Sequence, residues 1–163
     1  SAKIPGPEPV DRPGGRAYRT RAMIRIIAVG KLRDRRLGEL CADYLRRIAP
    51  LAACEVVELK DQGPLREGAE MVRRLGTAAR VVALDERGDD VASADVAALL
   101  GAHGQVSFLI GGADGLGPDA RARADRTLRL SSLTLTHEFA RLLLVEQVYR
   151  GLTILRGMPY HRA

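Results

Sequence analysis

The sequence predicts one α/β domain built on a mostly parallel sheet, and three observations predict it. Short apolar runs alternate with stretches of helical periodicity in the order β-α-β-α-β-α-β-α-β-α. The run QVSFLIGG is nearly continuous in apolar residues, as a strand covered on both faces requires. A chain of 163 residues fits a single domain, which at this size buries roughly two thirds of the surface its unfolded form exposes. No metal or disulfide is needed to hold such a core. Hydrophobic residues make up 46% of the chain but aromatic ones only 4%, so the core is expected to be aliphatic.

The first 22 residues hold Pro5, Pro7, Pro9 and Pro13 with Gly6, Gly14 and Gly15, which break both ladder and helix, and are expected to form a flexible extension. The folded domain should begin near Met23 and run to residue 163. A first strand is predicted over Ile24–Val29, ending at Gly30. RRLGELCADYLRRI then places Leu37, Leu40, Cys41, Tyr44, Leu45 and Ile48 at helical spacing, and Pro50 closes that helix. CEVVEL reads as the second strand. Pro64 suits the first turn of a helix carrying Leu65, Met71, Val72 and Leu75. RVVALD is the third strand, followed by a turn at Gly88 and a helix from about Ser93, its expected N-cap, to Leu100. After the fourth strand, Pro118 is expected to open a helix through about Leu128. LSSLTLTH supplies a short strand or extended loop, and Glu138–Leu152 the last long helix.

The formal charge of +6 is unevenly spread. Residues 48–120 carry six basic and twelve acidic side chains, whereas residues 121–163 carry eight basic and three acidic. Such polarity can guide a polyanion to one face, and on charge alone a solvated face with no partner explains it as well. Cys41 and Cys54 have no companion cysteines, and the three histidines lie far apart, which matches no zinc motif and no disulfide scaffold. No window approaches a membrane span, and no apolar run of a signal peptide opens the chain, so a cytoplasmic protein is expected.

In open parallel sheets ligands bind beyond the carboxyl ends of the strands. The sharpest feature at such an end is LIGGADGLG, where Gly111, Gly112, Gly115 and Gly117 follow a buried strand and let the backbone approach a ligand closely. A plain strand-to-helix turn would use the same residues. The cluster lacks the Lys-Ser or Lys-Thr pair of a P-loop and the placement of a dinucleotide fingerprint. A second feature, Leu130 to Thr136, interleaves Ser131, Ser132, Thr134 and Thr136 with leucines, a composition suited to cradling adenine and equally to an edge strand. Glu146 and Arg150 form an i,i+4 pair on the last helix. The ending GMPYHRA carries Tyr160, His161 and Arg162, which are able to stack, exchange a proton and hold a phosphate, although a chain end is commonly a solvent-exposed tail.

IIAVGK, YLRRI, ALDERG, FLIGGADGL, LSSLTLTH, EQVYRG and PYHR stand in an order and spacing that resembles the ribosomal RNA large subunit methyltransferase H family, over Met23 to Ala163. That resemblance implies a SPOUT fold whose carboxyl half is a trefoil knot, against the rule that chains are unknotted. It also implies a homodimer that uses S-adenosylmethionine to methylate N3 of a pseudouridine in 23S ribosomal RNA within the assembled 70S ribosome. Carried over residue by residue, the cofactor contacts are Leu84, Gly111, Leu130, Ser131, Ser132, Leu133, Thr134 and Leu135. Tyr160, His161 and Arg162 match the family's C-terminal signature and are implied to face the RNA near the other subunit's cofactor. The methyl group arrives already activated, so the protein mainly aligns donor and acceptor and helps the N3 proton leave. His161 is given a proton or orienting role, Tyr160 a base contact, and Arg141, Arg150 and Arg162 phosphate or local structural roles. The arginines between Lys31 and Arg47 would widen the RNA footprint. No metal is implied.

The chain departs from the family pattern in a shortened Lys60–Val72 stretch that keeps Glu67 and Glu70, in HEFAR at the start of the last helix, and in the residues before Met23. Three readings compete with this one: a knotted methyltransferase acting on tRNA or another rRNA site, a noncatalytic ribosome-binding factor, and a phosphate-binding protein using the glycine loop alone.

Overall fold

The computed structural model describes residues 22–76 and 80–162, so the expected N-terminal extension lies outside the described residues except for Ala22. Five strands alternate with five helices: β1 Met23–Val29, α1 Arg35–Ile48, β2 Ala53–Leu59, α2 Pro64–Leu75, β3 Arg80–Asp90, α3 Ser93–Ala102, β4 Gln105–Ile110, α4 Pro118–Arg123, β5 Arg126–Arg129 and α5 His137–Leu155. The strands form one parallel sheet in the order β2-β1-β4-β3-β5.

Alternation along the strands divides the core into two layers, because successive side chains point to opposite faces. Ile24, Ile26 and Ala28 join Val82, Phe108 and Leu128 beneath Ile48, Leu144, Val148 and Leu152, so α1, α3 and α5 cover one face. Ile27, Val29, Val81, Ala83 and Leu109 point the other way, onto Met71, Leu75, Leu116 and Ala120 of the α2 and α4 side. Phe108 is the one aromatic residue among the largest fully buried side chains; the rest of that set is Ile, Leu, Val and Met, as the composition predicts.

Helix boundaries follow from local chemistry. Asp34 caps α1 by accepting a hydrogen bond from the Arg36 N–H at 2.9 Å, and Thr136 caps α5 by accepting from Phe139 N–H at 3.3 Å. Pro64 occupies the first turn of α2, where its missing N–H costs nothing. The buried carboxylate of Glu67 accepts from the N–H groups of Gln62 and Gly63 at 2.8 and 2.9 Å and so closes that turn.

Two sequence expectations are corrected here. Ser93 is the first residue of α3 and not its cap; Ala92 holds that position, the Asp95 carboxylate accepts from its N–H at 2.8 Å, and Ser93 Oγ donates instead to Gln147 Oε1 at 2.6 Å. The helix opened by Pro118 stops at Arg123, and Leu128 belongs to β5. Asp125 causes the break: its carboxylate accepts from Val81 N–H, and its own N–H donates to the Val81 carbonyl, both at 2.8 Å, which starts β5 alongside β3. Of the two forms expected for LSSLTLTH, residues 130–136 take the loop, the fifth strand having formed just before them.

The third strand also runs past the predicted turn. Leu84 and Asp89 both lie opposite Leu128, so the residues between them loop out at the strand's carboxyl end before pairing resumes at Asp90. Gly88 permits this, since a Cβ there would lie 2.6 Å from the Leu128 carbonyl carbon.

Candidate functional site

The carboxyl ends of β3, β4 and β5 open into a cleft of about 880 Å³. The excursion of β3 supplies Leu84 and Asp85, the glycine loop after β4 supplies residues 111–116, the irregular segment after β5 supplies Leu130, Ser131 and Leu133 to Thr136, and the first turn of α5 closes the end. A site of this size at the carboxyl edge of a parallel sheet is where an α/β fold binds a nucleoside-sized ligand.

Each wall is held by a specific contact. Gly115 adopts a left-handed φ of 80° and donates its N–H to the Gly112 carbonyl at 3.0 Å, turning the glycine loop back on itself. Gly111 sits under that turn: a Cβ on it would lie 2.5 Å from the Gly115 carbonyl carbon, so only glycine fits. Arg121 donates to the Leu116 carbonyl at 3.0 Å and pairs with Asp85 at 2.6 Å, tying the glycine loop to the β3 excursion. Burial raises the Asp85 carboxyl, but the Arg87 N–H and the Arg121 guanidinium outweigh it and leave the group below the usual carboxylate range. On the opposite wall the Leu133 N–H donates to Ser131 Oγ at 2.9 Å, and Glu138 accepts from the N–H groups of Arg33 and Asp34.

Of the residues expected to contact a cofactor, Leu84, Gly111, Leu130, Ser131, Leu133, Thr134 and Leu135 all line this cleft; Ser132 is exposed beside it and does not. The aliphatic side chains suit an adenine ring, and main-chain groups of an irregular segment, outside any ladder, are the ones left for a ligand. This donor set and volume fit S-adenosylmethionine. Sequence reasoning passed over Asp85, Arg121 and Phe139, although ALDERG at a strand end was a signal for the first.

Tyr160, His161 and Arg162 do not line the cleft. The tail docks further along α5, where the Tyr160 hydroxyl donates to Glu146 Oε1 at 2.9 Å and lies 3.2 Å from the Tyr44 hydroxyl of α1. Its ring packs edge-on against Tyr149 at 4.7 Å and under the Arg150 guanidinium at 4.7 Å. Burial, then the bonds to Tyr44 and Glu146, push the Tyr160 phenol well above its ordinary value. Arg150 pairs with Glu146 at 2.6 Å, as the i,i+4 spacing predicts, and donates to His161 Nδ1 at 3.2 Å. From Ala140, the last residue of α5 that lines the cleft, to Arg150 is 10 residues of helix, roughly 15 Å at 1.5 Å per residue.

The other arginines divide by environment. Arg141 is buried and bonds Glu58 and the Gly30 carbonyl, a local structural role. On α1, Arg35 pairs with Glu39, Arg36 with Asp34, and Arg46 and Arg47 with Asp43, all at the surface.

The fold and the cleft define an α/β protein with room for a nucleoside-sized ligand at the carboxyl edge of its sheet. The chain belongs to the SPOUT methyltransferases: the family described as "Predicted SPOUT methyltransferase" matches residues 22–161, and S-adenosylmethionine is the methyl donor of that family. It shares 46% identity over 144 residues with the ribosomal RNA large subunit methyltransferase H of Synechococcus sp. (strain RCC307), covering 87% of this chain and 96% of that protein. The protein of the same name from Anaeromyxobacter sp. (strain K) is 42% identical over 151 residues, covering 85% and 99%. Among solved structures, a probable methyltransferase from Bordetella pertussis Tohama I shares the fold, with a TM-score of 0.52 at 14% identity over 80% of this chain and 93% of that one.

Proposed function

We propose that this protein uses S-adenosylmethionine to methylate N3 of a pseudouridine in 23S ribosomal RNA, on the assembled 70S ribosome, as a cytoplasmic homodimer whose carboxyl half is threaded as a trefoil knot. The observation that carries this reading is the cleft, which gathers seven of the eight residues the family resemblance implies for the cofactor, in a chain related over nearly its whole described length to proteins named for rRNA methylation. S-adenosylmethionine supplies the activated methyl group. Leu84, Leu130, Leu133 and Leu135 bind it by apolar contact, Gly111 keeps the loop open to it, and Ser131 and Thr134 add polar partners.

The tail supplies the RNA side. Tyr160 and His161 are held on α5 by Glu146 and Arg150, beyond the residues that line the cleft of their own chain, which favours a site composed from two copies, the tail of one meeting the cleft of the other. Among the described residues no helix is long and apolar enough to cross a membrane, which agrees with an enzyme that meets ribosomes.

Transfer of labelled methyl from S-adenosylmethionine to unmodified whole ribosomes and to separated subunits, followed by nucleoside mapping, tests the proposal. N3-methylpseudouridine formed chiefly in whole ribosomes is the expected result. Label at another nucleotide or in tRNA would keep the enzyme class and overturn the substrate. No label despite tight cofactor binding would favour a noncatalytic ribosome-binding role.

A further inference from the structure

The docked tail bears on a choice that the family resemblance leaves open for His161, between taking a proton and orienting the base. Arg150 Nη1 lies 3.2 Å from His161 Nδ1. A guanidinium has only donors, so this bond runs one way, and Nδ1 accepts through its lone pair. The single proton of a neutral imidazole therefore sits on Nε2.

Arg150 is itself fixed. Glu146 Oε1 accepts from its Nε at 3.1 Å and its Nη2 at 2.6 Å, and its guanidinium stacks on the Tyr160 ring. Tyr160, the neighbour of His161 in the chain, is held in turn by Glu146, Tyr44 and Tyr149. Both ends of the His161 contact are thus anchored to α5, and its ring is partly exposed with Nε2 on the side away from Arg150.

We propose that Arg150 is a positioning residue that holds His161 as the Nε2–H tautomer, so that His161 meets the RNA base as a hydrogen-bond donor and not as the proton acceptor. The inference rests on the reading above, in which the tail faces the target base. N3 of a pseudouridine lies between two ring carbonyls. As its N–H bond breaks, the proton passing to solvent, the electron pair spreads onto those oxygens while N3 forms its bond to the methyl carbon and the carbon–sulfur bond of the donor breaks. An Nε2–H aimed at one carbonyl stabilises that charge, as donors at a developing oxyanion do.

Two measurements test this, one of them independent of activity. Long-range proton–nitrogen correlation spectra of the full chain near neutral pH should show His161 Nδ1 unprotonated and Nε2 protonated; a protonated Nδ1 overturns the proposal. In Arg150→Met the two nitrogens should move toward an averaged tautomer mixture, and an unchanged spectrum would remove Arg150 from the role. With unmodified whole ribosomes, His161→Ala should lower kcat by about 100-fold, the usual scale for loss of one such donor. His161→Gln, whose amide N–H reaches the Nε2 position without a basic nitrogen, should remain within about tenfold of the parent, with KM for S-adenosylmethionine unchanged. Gln as inactive as Ala would overturn the donor role and leave the methyltransferase reading standing. Full turnover by His161→Ala would instead overturn the placement of the tail at the target base, and the donor role with it.

Discussion

Arg141 Nη1 lies 2.5 Å from Glu58 Oε2, joining the last helix to the end of the second strand, while its Nη2 donates to the Gly30 carbonyl at 2.6 Å. One buried guanidinium thus fastens α5 across the carboxyl ends of β1 and β2, beside the turn at which Gly30 takes a φ of 81°. Glu58 keeps a side-chain exposure of 38%, so water shares the solvation of its carboxylate. Replacing Arg141 with Met should cost about 2 kcal/mol, the usual scale for hydrogen bonds to a charged group and less than for a fully buried pair. Urea unfolding should show a lower midpoint at unchanged slope; an unchanged midpoint would contradict the structural role.

Gly111→Ala tests the cleft directly. The added methyl would meet the Gly115 carbonyl group and the Leu116 nitrogen at 2.5–2.8 Å, so the glycine loop must move. Affinity for S-adenosylmethionine, read by calorimetry, should fall at least about tenfold, in line with the 1–3 kcal/mol that overpacking commonly costs.

Asp85 gives the cleft a pH dependence of definite sign. Although burial opposes it, bonds from Arg87 N–H and Arg121 hold its folded pKa below the ordinary carboxylate value. The stabilisation it contributes is therefore fully present above the unfolded value, about 3.9, and is lost as pH falls through the lower folded one. The stability gap between the parent and Asp85→Asn should be constant from neutral pH to about 5 and shrink below about 4. A gap that widens on acidification would contradict the Asp85–Arg121 contact.

Both cysteines should resist alkylation while the protein is folded. Burial, followed by the nearby Glu55 charge, pushes the Cys54 thiol up to about 11, and burial raises Cys41 despite Arg141. At pH 8 roughly one Cys54 in a thousand is then thiolate, the form that reacts. Iodoacetamide should label either residue quickly only after unfolding. Rapid labelling of the native protein would mean that the β2 edge or α1 opens readily.

The alternation of strand and helix, the extent of α1 and the opening of α2 by Pro64 were legible in the sequence because each rests on local pattern. The fifth strand was not. Arg126–Arg129 is a short, highly charged run, and it becomes a strand because Asp125 brackets Val81, 44 residues away in sequence. Ser93 looked like a cap for a similar reason: its hydroxyl is claimed by Gln147 of a distant helix.

The site divides along the same line. Sequence by itself determined which segments end strands and carry glycine, serine or a reactive tail, since these are properties of residue type and spacing. Tertiary structure alone decided that Leu84, Gly111, Leu130, Ser131 and Leu133 to Leu135 share one cleft, because β3, β4 and β5 become neighbours only in the assembled sheet. It also decided that Tyr160 and His161 are anchored away from that cleft. Their partners Tyr44, Glu146 and Arg150 lie 116, 14 and 11 residues distant, and a hydrogen bond forms only where folding brings donor and acceptor within about 3 Å of each other.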